Sequence, residues 1–76
     1  MNKVRRKSIE EIRDKLDELK NDLEMLRDEE QEYMDNMPES LQSGEKYDAA
    51  ESAVGSMDEA IDSIDSAVTS LEEAAQ

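Results

Sequence analysis

Two runs of apolar residues, each stepping alternately by three and four positions, organise this sequence. The first is Ile9, Ile12, Leu16, Leu19, Leu23, Leu26, Glu30, Tyr33 and Met37, in which Glu30 is the only member that is not apolar. The second is Tyr47, Ala50, Val54, Met57, Ile61, Ile64, Val68, Leu71 and Ala75, without a break. An apolar period of about 3.5 residues, held over about four heptads, is the pattern of helices that pair along a seam. Within the second run the heptad itself is reiterated, from Ala53–Glu59 through Ala60–Ser66 to Ala67–Glu73. That repeat lengthens one helix and does not build a solenoid. Between the runs stand Pro38 and Gly44. Proline cannot continue a helix interior and biases Met37 out of the helical region. Ser43-Gly44 offers an N-cap to the second helix. Near the start, Ser8-Ile9-Glu10-Glu11 fits a capping box, although the helix could begin as early as Asn2. The expected fold is all-α: an antiparallel two-helix coiled-coil hairpin, with residues 1–76 as one domain. Its helices cover about 3–36 and 45–75, each roughly 45–50 Å long, and the turn covers about 37–44.

The charges choose how the helices pair. With Ile9, Leu16, Leu23, Glu30 and Met37 taken as heptad position a, position e of the first helix holds Arg13, Lys20, Arg27 and Met34. In the second helix, with Tyr47 as a, position e holds Glu51, Asp58, Asp65 and Glu72. In an antiparallel pair these flanks meet, so the expected ion pairs are Arg13–Glu72, Lys20–Asp65 and Arg27–Asp58. The expected core layers are Leu16 with Leu71, Leu19 with Val68, Leu23 with Ile64, Leu26 with Ile61, Glu30 with Met57, Tyr33 with Val54, and Met37 with Ala50. Exposed pairs of this kind contribute about 0.2–1 kcal/mol each, so they set orientation more than stability. This register centres the turn on the breakers and leaves residues 1–11, basic at Lys3, Arg5, Arg6 and Lys7, overhanging the open end.

Composition narrows the function classes. There is no cysteine and no histidine, which removes disulfides, thiolate metal sites and the commonest acid/base residue. The acids of the second helix, Asp58, Asp62 and Asp65, lack the loop spacing and glycine of a calcium site. A bare hairpin is expected to have no pocket in which carboxylate pKa values could be driven apart, so catalysis, metal and cofactors are not expected. The formal charge of −13, from 22 acids against 9 basic residues, repels nucleic acid and anionic lipid and attracts basic proteins. Low hydrophobicity with high charge can signal disorder, but the strict heptad rhythm argues for a folded chain. The sequence has no apolar run of membrane-spanning length and no signal-peptide core after its basic start, so a cytoplasmic protein is expected.

Two surfaces remain as candidate sites. The first is the tip, where nine acids lie between Asp28 and Glu51 with Lys46 as the only basic residue. Asp28, Glu29, Glu32, Asp35 and Glu39 form its acidic rim, and Met34 and Leu41, which have no heptad partner, are the expected contact residues. Tyr33 and Tyr47 are expected to pack the turn instead. Such a tip could occupy a basic groove built for phosphates, or it could be only a solvated acidic end. The second surface is a stripe of small residues on the second helix: Ala53, Ala60, Ala67 and Ala74 at position g, beside Ser56 and Ser63 at position c. It could be a docking face that closes a homodimer into a four-helix bundle, or a weakly polar solvated face.

The turn Asn36-Met37-Pro38-Glu39-Ser40-Leu41-Gln42-Ser43-Gly44-Glu45-Lys46-Tyr47, followed by alanine-led acidic heptads, resembles small acidic helical proteins encoded by phages and prophages of Gram-positive bacteria. The resemblance covers the turn and the second helix. It implies a phage accessory protein in the cytoplasm of the host cell. Inhibitors of host defence occur among small acidic phage proteins. The function expected from all of this is a non-enzymatic module that binds a basic, nucleic-acid-handling or defence protein through its acidic surface. The alternative is a structural protein that self-associates through the Ala/Ser stripe.

Overall fold

The computed structural model describes residues 1–76 as two long helices, α1 (Lys3–Asp35) and α2 (Glu45–Ala74), joined by a turn that contains a short 3₁₀ segment at Glu39–Leu41. The chain is the antiparallel helical hairpin that the apolar rhythm predicts, 59 × 14 × 12 Å in extent.

α1 starts at the earlier of its two candidate caps. The side chain of Asn2 accepts a hydrogen bond from the Arg5 N–H at 2.7 Å, satisfying one of the amides a helix start leaves unpaired. Ser8 is not a cap; it lies inside α1 and its hydroxyl donates to the Val4 carbonyl at 3.1 Å. The helix ends where Pro38 requires it to. The Asn36 N–H closes the last full turn onto the Glu32 carbonyl at 3.0 Å, and Pro38 is extended at φ −58°, ψ 145°. The turn then holds itself together. Leu41 donates to Pro38, and Gly44 to Leu41, at 2.8 and 3.1 Å, while the Gln42 side chain donates to the Met37 carbonyl at 3.1 Å. The residue that caps α2 is Gly44, not Ser43, and it supplies no side-chain hydrogen bond. Glu45 and Asp48 in the first turn favour the helix start through their charge instead. Gly44 is not in a left-handed conformation. Its small size suits a close approach, because a Cβ there would sit 3.3 Å from the Leu41 carbonyl oxygen.

The seam is one-sided in a way the heptad reading did not predict. On α2 the inward residues are positions a and d as expected, from Tyr47 to Ala75, with Ala50, Val54 and Val68 buried. On α1 the inward residues are positions a and e. Ile9, Leu16, Leu23, Glu30 and Met37 are half-buried, as are Arg13, Lys20 and Arg27, and Met34 is buried. The d residues expected to fill core layers, Ile12, Leu19, Leu26 and Tyr33, are 50%, 58%, 56% and 48% exposed. Positions d and e flank position a, so α1 is turned by roughly 50° from an a/d seam, half of the 100° that separates consecutive residues.

The cross-helix ion pairs account for the direction of this turn. Lys20 Nζ reaches Asp65 and Arg27 Nε reaches Asp58, both at 2.8 Å. Bringing these long side chains to the carboxylates lays their aliphatic stems over the seam and swings position d outward on the other flank. At the tip, Met34 packs with Ala50, Val54 and Tyr47, so an unbranched side chain fills the space beside a small residue. The third expected pair is different: Arg13 bonds its neighbour Asp14 at 3.0 Å. The guanidinium of Arg13 is held above its ordinary pKa by that hydrogen bond first, with the charge of Glu72 a lesser contribution.

Candidate functional site

The residues proposed from sequence for the tip divide into three groups. Asp28, Glu29, Glu32, Asp35 and Glu39 are exposed. Asp28 accepts from Arg27 Nη1 at 2.8 Å, and Asp35 accepts from the Gln31 amide at 3.0 Å. Neither bond removes the carboxylate from solvent. Leu41 is 57% exposed, held outward on the 3₁₀ segment. Met34, expected beside Leu41 as a contact residue, is instead 5% exposed and belongs to the core. Its position-e placement turns inward for the reason already given. Tyr33, expected to pack the turn, takes the outward place, while Tyr47 packs against Met34 and its neighbours as expected.

Tyr33 and Leu41 line an open cleft at the tip of about 630 Å³. Its walls are completed by Asn36, Met37, Pro38, Gly44, Glu45 and Lys46. The expectation that a bare hairpin has no hollow is therefore corrected. The hollow lies among the end of α1, the proline-led turn and the first residues of α2. Pro38 belongs to this site although sequence reasoning treated it as a helix breaker, and so does Asn36, which was assigned to no surface. The signal that could have found them is the distance between Pro38 and Gly44, which leaves the turn long enough to enclose space. Glu45 and Lys46 are the charged groups on the cleft wall, and the exposed acids of α1 continue from it along the helix.

The residues proposed for the second surface are mostly exposed. Ala60, Ala67, Ala74, Ser56 and Ser63 are exposed, and Ala53 is half-buried at its edge. α1 adds what the sequence reading did not assign to any surface, the exposed d residues Ile12, Leu19, Leu26 and Tyr33. The heptad pattern hid them, because it placed them in the core.

The basic residues outside the seam have no acid to answer them. Ion pairs within the chain involve only Arg13, Lys20 and Arg27. Lys3, Arg5, Arg6 and Lys7 at the open end, and Lys15 on the outer side of α1, are unpaired. The hairpin is therefore polarised along its length, basic at one end and acidic at the other. No group of three or more acidic side chains converges to a geometry that could hold a metal ion, and no helix is long and apolar enough to cross a membrane. Compared with protein-family models, curated proteins and solved structures, the chain has no match.

Proposed function

We propose that this chain is a non-enzymatic protein-binding module whose acidic tip receives a basic segment of another protein. One observation carries the reading: an apolar cleft, with Tyr33 and Leu41 presented to solvent, opens within the most acidic part of the chain. Large side chains inside a charged rim are the arrangement of a binding hot spot. The cleft would take one apolar or aromatic side chain of the partner, and Asp28, Glu29, Glu32, Asp35 and Glu39 would hold the basic residues around it. A partner with such a segment is most readily a protein that handles nucleic acid, whose basic groove the tip would occupy. The resemblance of the turn to small phage proteins supports a phage-encoded inhibitor of host defence as the biological setting.

The test is a capture experiment from nuclease-treated bacterial lysate with tagged protein. Wild type is compared with a variant carrying Asp28→Asn, Glu29→Gln, Glu32→Gln and Asp35→Asn, and both are washed at low and high salt. A basic protein retained by wild type at low salt, released at high salt and not retained by the variant is the expected result. Retention that ignores both salt and the four substitutions contradicts the acidic-tip reading. Self-association as the main task is the second reading, and the exposed alanine side of α2 favours it.

A further inference from the structure

The Lys20–Asp65 and Arg27–Asp58 pairs tie position e of α1 to position e of α2 along one flank of the hairpin. The antiparallel geometry then places position d of α1 and position g of α2 together on the opposite flank. That flank carries a ridge of Ile12, Leu19, Leu26 and Tyr33, all about half exposed. Beside it runs the row of Ala53, Ala60, Ala67 and Ala74. In the register of the ion pairs, Leu19 lies beside Ala67 and Leu26 beside Ala60. Scattered single apolar residues are normal on a protein surface, but a continuous ridge at heptad spacing is not.

We propose that this face is a dimer interface. A second copy of the chain lies on it antiparallel, with the two tips at opposite ends. Area, symmetry and charge all select a second copy over another occupant. The hairpin's broad face, 59 × 14 Å in extent, is large enough to supply up to about the 800 Å² that each partner contributes to an interface of standard size. The ridge is self-complementary. A two-fold axis crossing it between Leu19 and Leu26 pairs Leu19 of each copy with Leu26 of the other, and Ile12 with Tyr33. The same axis sets the basic start of α1 in one copy at the turn end of the other, where Arg5, in line with the ridge at position d, lies over the turn close to Glu39, and it brings Lys15 beside Glu29. Neither Arg5 nor Lys15 has an ion-pair partner within its own chain. The arrangement with both tips at one end would instead set the two acidic ends against each other. A lone hairpin also buries only four of its residues, too few for a chain of this size to depend on alone.

Sedimentation equilibrium and a cysteine pairing experiment test this, and neither depends on the acidic-tip function. Wild type is expected at twice 8.6 kDa at micromolar concentration. Leu19→Glu with Leu26→Glu is expected to return it to the monomer while the helical circular dichroism persists. The dissociation constant should rise at least about a hundredfold, as for loss of central interface residues. The chain has no cysteine of its own, so Leu19→Cys and Leu26→Cys report orientation cleanly. Mixed and oxidised, the two variants are expected to form a disulfide-linked heterodimer. Either one alone is not, because like positions would lie about 10 Å apart along the helices, beyond disulfide reach. Wild type at 8.6 kDa at every concentration, or a dimer whose mixed cysteine variants do not cross-link, would overturn the proposal. Should the glutamate variant lose its helices, the wild-type mass and the cross-link still decide.

Discussion

Met34 and Tyr33 are adjacent in sequence, and their exchange of roles shows what single positions decide here. The heptad assigns Tyr33 to the core and leaves Met34 outside it. In the structure Met34 is among the most buried residues, while nearly half of Tyr33 is exposed. The apolar pattern was legible, but both residues satisfy it on neighbouring faces, and pattern alone cannot choose between faces about 100° apart. Met34→Ala should therefore destabilise the hairpin by about 2 kcal/mol, at the lower end for truncating a buried methionine, as read from urea denaturation. Leu41→Ala should leave the denaturation midpoint unchanged and weaken capture of the partner. Gly55 has a simpler meaning. It lies inside α2 on the exposed side, and a Cβ there would meet nothing within 4 Å. Gly55→Ala should stabilise the fold by about 0.5–1 kcal/mol through helix propensity alone. A loss of stability on that change would mean that the exposed side of α2 is not free.

At the scale of the helices, the sequence specified nearly everything except rotation. The two helices, the breakers, the antiparallel direction and two of three ion pairs follow from apolar spacing and the signs of the e-position charges. The rotation of α1 does not follow, because it is set by a balance between apolar burial at position d and ion pairing across position e. Capping was similarly ambiguous at both starts: Asn2 and Ser8 are each competent caps, as are Ser43 and Gly44, and local sequence ranks them only weakly. The ion pairs make a prediction at this scale. The hydrogen bond to Asp65 holds the Lys20 ammonium above its ordinary pKa of 10.5. A group whose folded pKa is raised contributes stability that is complete below the unfolded value and is lost as pH rises through the folded one. The denaturation midpoint of wild type should therefore fall at strongly alkaline pH more than that of Lys20→Arg, whose guanidinium stays charged. Equal losses in the two proteins would show that the Lys20–Asp65 pair contributes nothing measurable.

Across the whole molecule, the hairpin is an electrostatic dipole with an apolar side. Its acidic tip was legible from the run of acids, and the cleft within the tip was not, because a turn's enclosed space depends on backbone path. The apolar side was hidden for a physical reason as well: a heptad describes which residues are sequestered in some assembly, not in which one. Both proposed surfaces include Tyr33, and the antiparallel dimer brings the basic segment of one copy to the acidic tip of the other. Self-association and a basic partner should then compete. Partner capture should weaken as the concentration of the chain itself is raised, and Leu19→Glu with Leu26→Glu should relieve that dependence. Each of these proposals depends on which side of α1 faces α2. Thiol labelling of Met34→Cys and Leu26→Cys, measured over a range of protein concentrations, tests it most directly. Slow labelling of position 34 is expected throughout, with position 26 labelled rapidly when dilute and protected as copies associate. Rapid labelling at position 34, with position 26 protected even at high dilution, would place the seam at a and d and contradict it.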